Sequence, residues 1–214
     1  LIAARDAANY STPRSFHPTR FYFMRLAFKE WAVVVDALGR GEQILILRKG
    51  GLREGAGGFQ VEQSEFLLFP TLFHQQRDAV LPKAQIRFDE LAPRLSADVL
   101  RIEYFARVAA WQRLESLPAA QILRGQHIWR EEVIAGRFEW GGAKQIHALA
   151  LRVFRLPATV QVPMLPAYGG CKSWIELARD ISAQGAQPAL DDEAFAEKLA
   201  EFEKAAVANS PLRA

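Results

Sequence analysis

Between residues 28 and 75, three clusters set charged or polar side chains directly against strongly apolar ones, as happens where a rigid frame holds functional groups. They are Phe28-Lys29-Glu30-Trp31-Ala32, then Leu47-Arg48-Lys49-Gly50-Gly51, then Leu68-Phe69-Pro70-Thr71 with His74 and Gln75 behind it. Arg48 and Lys49 place two cations beside Gly50 and Gly51. Glycine lets a backbone approach a ligand and bares its N–H groups, so this cluster suits a phosphate. A hairpin with a flexible tip accounts for the same glycines. The segment is not a P-loop, because its glycines are not followed by Lys-Ser or Lys-Thr at the required spacing. Gly55-Ala56-Gly57-Gly58 lacks the βαβ surroundings of a dinucleotide fingerprint. His74 can serve as a base, a phosphate donor or a structural hydrogen-bonder.

A magnesium-dependent nuclease gathers two or three carboxylates, often with a lysine. Glu30, Glu62 and Lys49 supply those residue types, and only tertiary folding can bring them together. On the strand around Glu103, Phe105 stands where a restriction-type nuclease needs its lysine. No Gly-x-Ser-x-Gly elbow supports a Ser-His-Asp triad. The single cysteine and four histidines lack the paired spacing of a structural zinc site. No cofactor is expected, except magnesium on the nuclease reading.

In the second half, Trp111, Trp129, Trp140 and Trp174 interleave with Arg113, Arg130, Arg137 and Lys172. Aromatic rings beside cations can hold unpaired bases, and arginine also simply covers aromatic faces in core and rim. Tyr168-Gly169-Gly170-Cys171-Lys172-Ser173-Trp174 is the densest such cluster. Cys171 is expected there as a small buried residue and not a nucleophile.

The spacing of Leu26, Trp31, Val34, Val35 and Leu38 predicts a helix from Leu26 to Gly39 that carries Lys29 and Glu30 in its interior. Gln43–Lys49 reads as a strand, as do Phe59–Glu62 and Glu65–Phe69, the last stopped by Pro70. Asp89–Leu95 reads as a helical turn or two. Val99–Trp111 alternates, with Leu100, Ile102, Tyr104, Ala106 and Val108 on one face. Ile128–Ala135 suits a short helix, Gln145–Leu156 a long strand, and Val160 and Val162 a further one. Phe195, Leu199, Phe202 and Ala206 form a helical stripe with Asp191 or Asp192 as N-cap. The sum is an α+β domain: a mainly antiparallel, curved sheet or partly open barrel with flanking helices and a C-terminal amphipathic helix.

Three segments are expected: a disordered or extraneous extension over 1–23, with Met24 as the natural start; one α+β domain over 24–181; and a linker with an acidic helix over 182–214. The net charge of +3 is small, but acidic residues concentrate after residue 182 and leave the body more basic than the sum. Arginine outnumbers lysine there, which favours bidentate phosphate contacts or simply reflects a GC-rich genome. With one cysteine, no secretory leader and no apolar run long enough to span a bilayer, a cytoplasmic location without membrane contact is expected.

On these three clusters, supported by Arg152-Val153 and Trp174, the chain resembles the bacterial domain-of-unknown-function family 1802 from about Met24 to Leu177. Some members of that family are joined to a restriction-endonuclease-type domain, so the resemblance implies a restriction or defence role. This chain shows none of that domain's motif, and the cutting would fall to a separate protein partner. The leading expectation is a non-catalytic module associated with DNA or RNA. Its phosphate contacts would come from Arg48, Lys49, Gly50 and Gly51, with Lys29, Glu30 and His74 lining the same cleft and Lys172 and Trp174 alongside. The alternatives are the magnesium nuclease and a protein-interaction domain that docks through its acidic C-terminal helix.

Overall fold

A computed structural model describes residues 23–49, 54–55, 58–59, 64–73, 76–140 and 144–207. Strand β1 (Phe23–Trp31) runs parallel to β5 (Glu65–Thr71) on one side and antiparallel to β8 (Trp174–Ser182) on the other. The expected helix over Leu26–Gly39 is therefore corrected: its first half is strand, and α1 (Ala32–Gly39) starts only after Trp31. The reason is burial on both faces. Adjacent Ala27 and Phe28 are both buried, so the period of two that marks a strand is lost from the sequence.

The strand order is β2 (Leu45–Arg48), β7 (Ile146–Pro163), β6 (Val99–Leu114), β5, β1, β8, and β1 with β5 is its one parallel pair among the described residues. Strand β2 (Leu45–Arg48) falls where the sequence placed it. A small separate ladder joins β3 (Glu54–Gly55) and β4 (Gly58–Phe59). Long strands β6 (Val99–Leu114) and β7 (Ile146–Pro163) form the spine, and β7 absorbs both of the strands expected between Gln145 and Val162. Strand β9 (Gln187–Pro188) adds to β7.

Pro70 does not stop β5. Pairing with β6 ends at Leu67, so Pro70 lies where that edge needs no further donor, opposite Glu30 of β1. The single apolar face expected for β6 is also corrected. A bulge between Ile102 and Tyr104 turns them to opposite sides, Ile102 into a core with Ala27, Phe69 and Ile175, and Tyr104 into one with Phe28, Phe66 and Leu68.

Helices cover the sheet: α2 (Pro82–Leu91), which begins earlier than the turns expected at Asp89–Leu95, α3 (Leu117–Gln121), and α4 (Glu131–Glu139), shifted past the helix expected at Ile128–Ala135. None of the described helices is long and apolar enough to cross a membrane. Asp36 of α1 receives the Arg87 guanidinium of α2 through both oxygens at 2.8 and 2.9 Å, which fixes α1.

Helix α5 (Asp192–Val207) carries the expected stripe, with Phe202 buried and Phe195 and Leu199 packed against the core. Asp191 is its cap: the Ala194 N–H donates to Asp191 Oδ1 at 2.8 Å. Arg152 clamps the same end through the Asp191 carbonyl at 2.9 Å and Asp192 at 2.6 Å, and lies 4.5 Å from the Phe195 ring centre. Asp191→Ala is expected to lower stability by about 1 kcal/mol. Urea denaturation would show it as a lower midpoint at unchanged slope, and an unmoved midpoint would mean that Arg152 alone holds the end.

The two ends of the strand order face each other. Arg48, closing β2, donates from Nη2 to Ser173 Oγ, just before β8, at 2.6 Å. The curved sheet stays open, and this side-chain hydrogen bond bridges the seam between its two edge strands.

Candidate nucleic-acid interface

The seam lies at the end of β1, where strand alternation sends Lys29 and Glu30 to opposite faces. Glu30 follows Phe28 on the inner face and is 1% exposed. Its Oε1 accepts the Trp31 backbone N–H at 2.8 Å, while Oε2 has no hydrogen-bond partner. Arg48 Nη1 stands 3.6 Å from that Oε2, an ion pair too long for a hydrogen bond. The Arg48 guanidinium also lies 4.6 Å from the Phe28 ring centre. Below it, Trp174 meets Phe28 and Phe66 edge-on at 4.7 and 5.1 Å.

A second arginine closes the inner side. Arg137 of α4 donates to the Leu47 carbonyl at 2.8 Å and lies 5.1 Å from the Trp31 ring centre and 4.9 Å from that of Trp129. Burial pulls its guanidinium down to about 10; Glu30 works against that shift and Arg48 adds to it. Trp129 is 1% exposed, and its Nε1 has no hydrogen-bond partner.

On the outer face, Lys29 reaches the loop that precedes β8. Its backbone N–H donates to the Ser173 carbonyl at 2.8 Å, and its ammonium donates to the Gly170 carbonyl at 3.2 Å. Burial holds the Lys29 ammonium below the usual lysine value, repulsion from Lys172 lowers it further, and Cys171 partly offsets both. Lys172 is exposed. Two cations therefore converge on one loop.

Lys29, Glu30, Arg48, Lys172 and Trp174 are thus brought together around the seam, with Lys29 and Glu30 on different sides of β1. Lys49 turns away toward α4, where it donates to the Phe138 carbonyl at 2.8 Å. Gly50, Gly51, His74 and Glu62 lie outside the described residues. Cys171 corrects the expectation of a buried thiol: it is exposed in the loop beside Lys172. Among the described residues, no three His, Cys, Asp or Glu side chains gather closely enough to hold a metal ion.

Neither Ser173 as the partner of Arg48 nor Trp31 as a partner of Arg137 follows from the sequence, which places Ser173 in the Tyr168–Trp174 cluster and Arg137 among arginines interleaved with tryptophans. The interleaving of Arg137 with tryptophans is its signal, but which indoles it meets is set by the fold, since Trp31 and Trp129 come from other elements.

A family model described as a domain of unknown function, DUF1802, matches residues 27–201. No curated protein matches the sequence. Among solved structures, the ASCH protein from Zymomonas mobilis is similar at 12% identity and a TM-score of 0.42, covering 83% of this chain and 94% of that one. Two single-substitution variants of that protein are similar at 13% and 12% identity, with TM-scores of 0.39 and 0.40. They cover 82% and 83% of this chain and 96% and 94% of theirs.

Proposed function

The chain belongs to the DUF1802 family, and we propose that it is a non-catalytic nucleic-acid-associated module whose phosphate seat is the loop preceding β8. The supporting observation is the Lys29 ammonium seated on the Gly170 carbonyl at 3.2 Å, with exposed Lys172 on the same loop. A phosphodiester backbone neutralises both charges at once, and release of its counterions drives the binding. Arg48 has a different part. Its hydrogen bond to Ser173 and its place beside Glu30 hold the loop against the sheet's first edge. A role in restriction or defence, in the cytoplasm, would then depend on a separate protein that does the cutting.

Fluorescence anisotropy of the full chain with short labelled DNA and RNA, single- and double-stranded, tests this reading. The Lys29→Ala, Lys172→Ala double variant is expected to weaken binding alike for every sequence, with the oligonucleotides intact in magnesium. Unchanged affinity in the double variant would remove the phosphate seat. Cutting that EDTA abolishes would put a nuclease in its place.

A further inference from the structure

Helix α2 turns Ala84 and Phe88, one turn apart, into the body. Its opposite face is not uniformly polar. Ile86 stands at the centre of that face and is 66% exposed, Pro82 lies exposed one turn before it, and Leu81 at the helix start is 43% exposed. A lone exposed isoleucine would call for no explanation, but the charges around this one are ordered. Lys83 and Glu90, two turns apart, run along one flank of Ile86, and Pro82 and Asp89 along the other. Asp89 is neutralised within the chain, since Arg77 donates to both of its oxygens at 2.7 and 2.8 Å. Lys83 stands 3.6 Å from Glu42, too far for a hydrogen bond, with its side chain 85% exposed. Glu90 pairs with Arg87 and is half exposed.

From this face we propose that the chain forms a two-fold dimer with a second copy of itself, the two α2 helices packed antiparallel with Ile86 against the partner's Ile86. Antiparallel helices related by a two-fold axis bring the same flank of each together, running in opposite directions. Lys83 then meets the partner's Glu90, and Glu90 meets the partner's Lys83, so one spacing in the sequence makes two ion pairs. On the other flank the neutralised Asp89 meets the partner's Pro82, and no like charges oppose each other. A second copy is the occupant because the surface complementary to this face is the face itself. Leu81 and Pro82 extend the apolar contact at both ends. A helix of ten residues is about 15 Å long. Its contact is therefore smaller than the roughly 800 Å² per partner of a stable complex, and the dimer is weak and concentration-dependent. The inference stands on α2 alone and is independent of the nucleic-acid reading.

Analytical ultracentrifugation of the full chain, from micromolar to millimolar concentration at low salt, tests the dimer. The mass is expected to rise from 24.0 kDa toward twice that value. Ile86→Glu sets two carboxylates against each other at the axis and is expected to weaken association about a hundredfold. Lys83→Glu, which sets like charges opposite Glu90, is expected to weaken it about tenfold. Adding Glu90→Lys to Lys83→Glu exchanges the two charges and is expected to restore the wild-type association. Ile86, Lys83 and Glu90 all face solvent, so the variants keep the fold, and an unchanged urea midpoint checks this. A wild-type chain that stays at 24.0 kDa at millimolar concentration overturns the inference. So does a dimer undiminished by Ile86→Glu, or a double variant that associates no better than Lys83→Glu.

Discussion

Arg137→Ala is expected to destabilise the fold by about 1.5–3 kcal/mol, the range for losing a hydrogen bond made by a charged group. Glu30 has one oxygen without a hydrogen bond, and its ion-pair partner is Arg48 at 3.6 Å. Removing Arg137 takes away a charge that Glu30 interacts with, the donor to the Leu47 carbonyl, and the flat group between the Trp31 and Trp129 indoles. Arg137→Lys should recover only part of the loss, because an ammonium replaces the charge but not the planar stacking surface. Urea denaturation near pH 7 measures both variants. A loss below about 1 kcal/mol for Arg137→Ala would mean that the guanidinium behaves as a surface charge and that the Glu30 surroundings are wetter than described.

The second large effect is in the pH dependence of stability. His127 is 5% exposed, and burial pushes its imidazole down to about 4 from an ordinary 6.5; repulsion from Arg137 adds to this and Glu131 opposes it. The folded chain holds this histidine neutral, whereas the unfolded chain protonates it below its ordinary value. Between those two values the unfolded state binds more protons, so stability falls as pH drops. The contribution is whole above pH 6.5 and shrinks through the window down to pH 4, a loss of about 3 kcal/mol. His127→Gln should flatten this part of the curve. If wild-type and variant curves run parallel through the window, His127 titrates normally and its burial is not maintained in solution.

What could be read from the chain follows from how each element is covered. Helix α5 was legible because Phe195, Leu199 and Phe202 meet the body along one edge and leave Glu193, Glu197 and Glu201 in solvent. Strand β7 was legible from its length and β-rich composition. Strand β1 was not, because neighbours are buried on both of its faces and its apolar residues can be fitted to a helix. Strand β8 was missed because Ala178, Arg179 and Asp180 are all exposed and break the alternation begun by Ile175 and Leu177. At the site, the unusual residue types Glu30, Arg48, Lys172 and Trp174 could be picked out; Arg48 pairs with Glu30, Arg48 and Trp174 share Phe28, and Lys172 lies on the other side near Lys29. Their geometry could not, since it depends on the sheet curling until Arg48 touches Ser173 and on α4 delivering Arg137 between two tryptophans from different elements. Local pattern carries no record of either.

The most direct test of nucleic-acid association through the β8 loop is the dependence of binding on salt, measured as log K against log salt for single-stranded oligonucleotides. The expected result is a linear fall for the wild-type chain, with a slope shallower by about 1.4 in the Lys29→Ala, Lys172→Ala variant, because each phosphate contact on a single strand contributes about 0.7. Identical slopes for the two proteins, or no binding even at low salt, would contradict it.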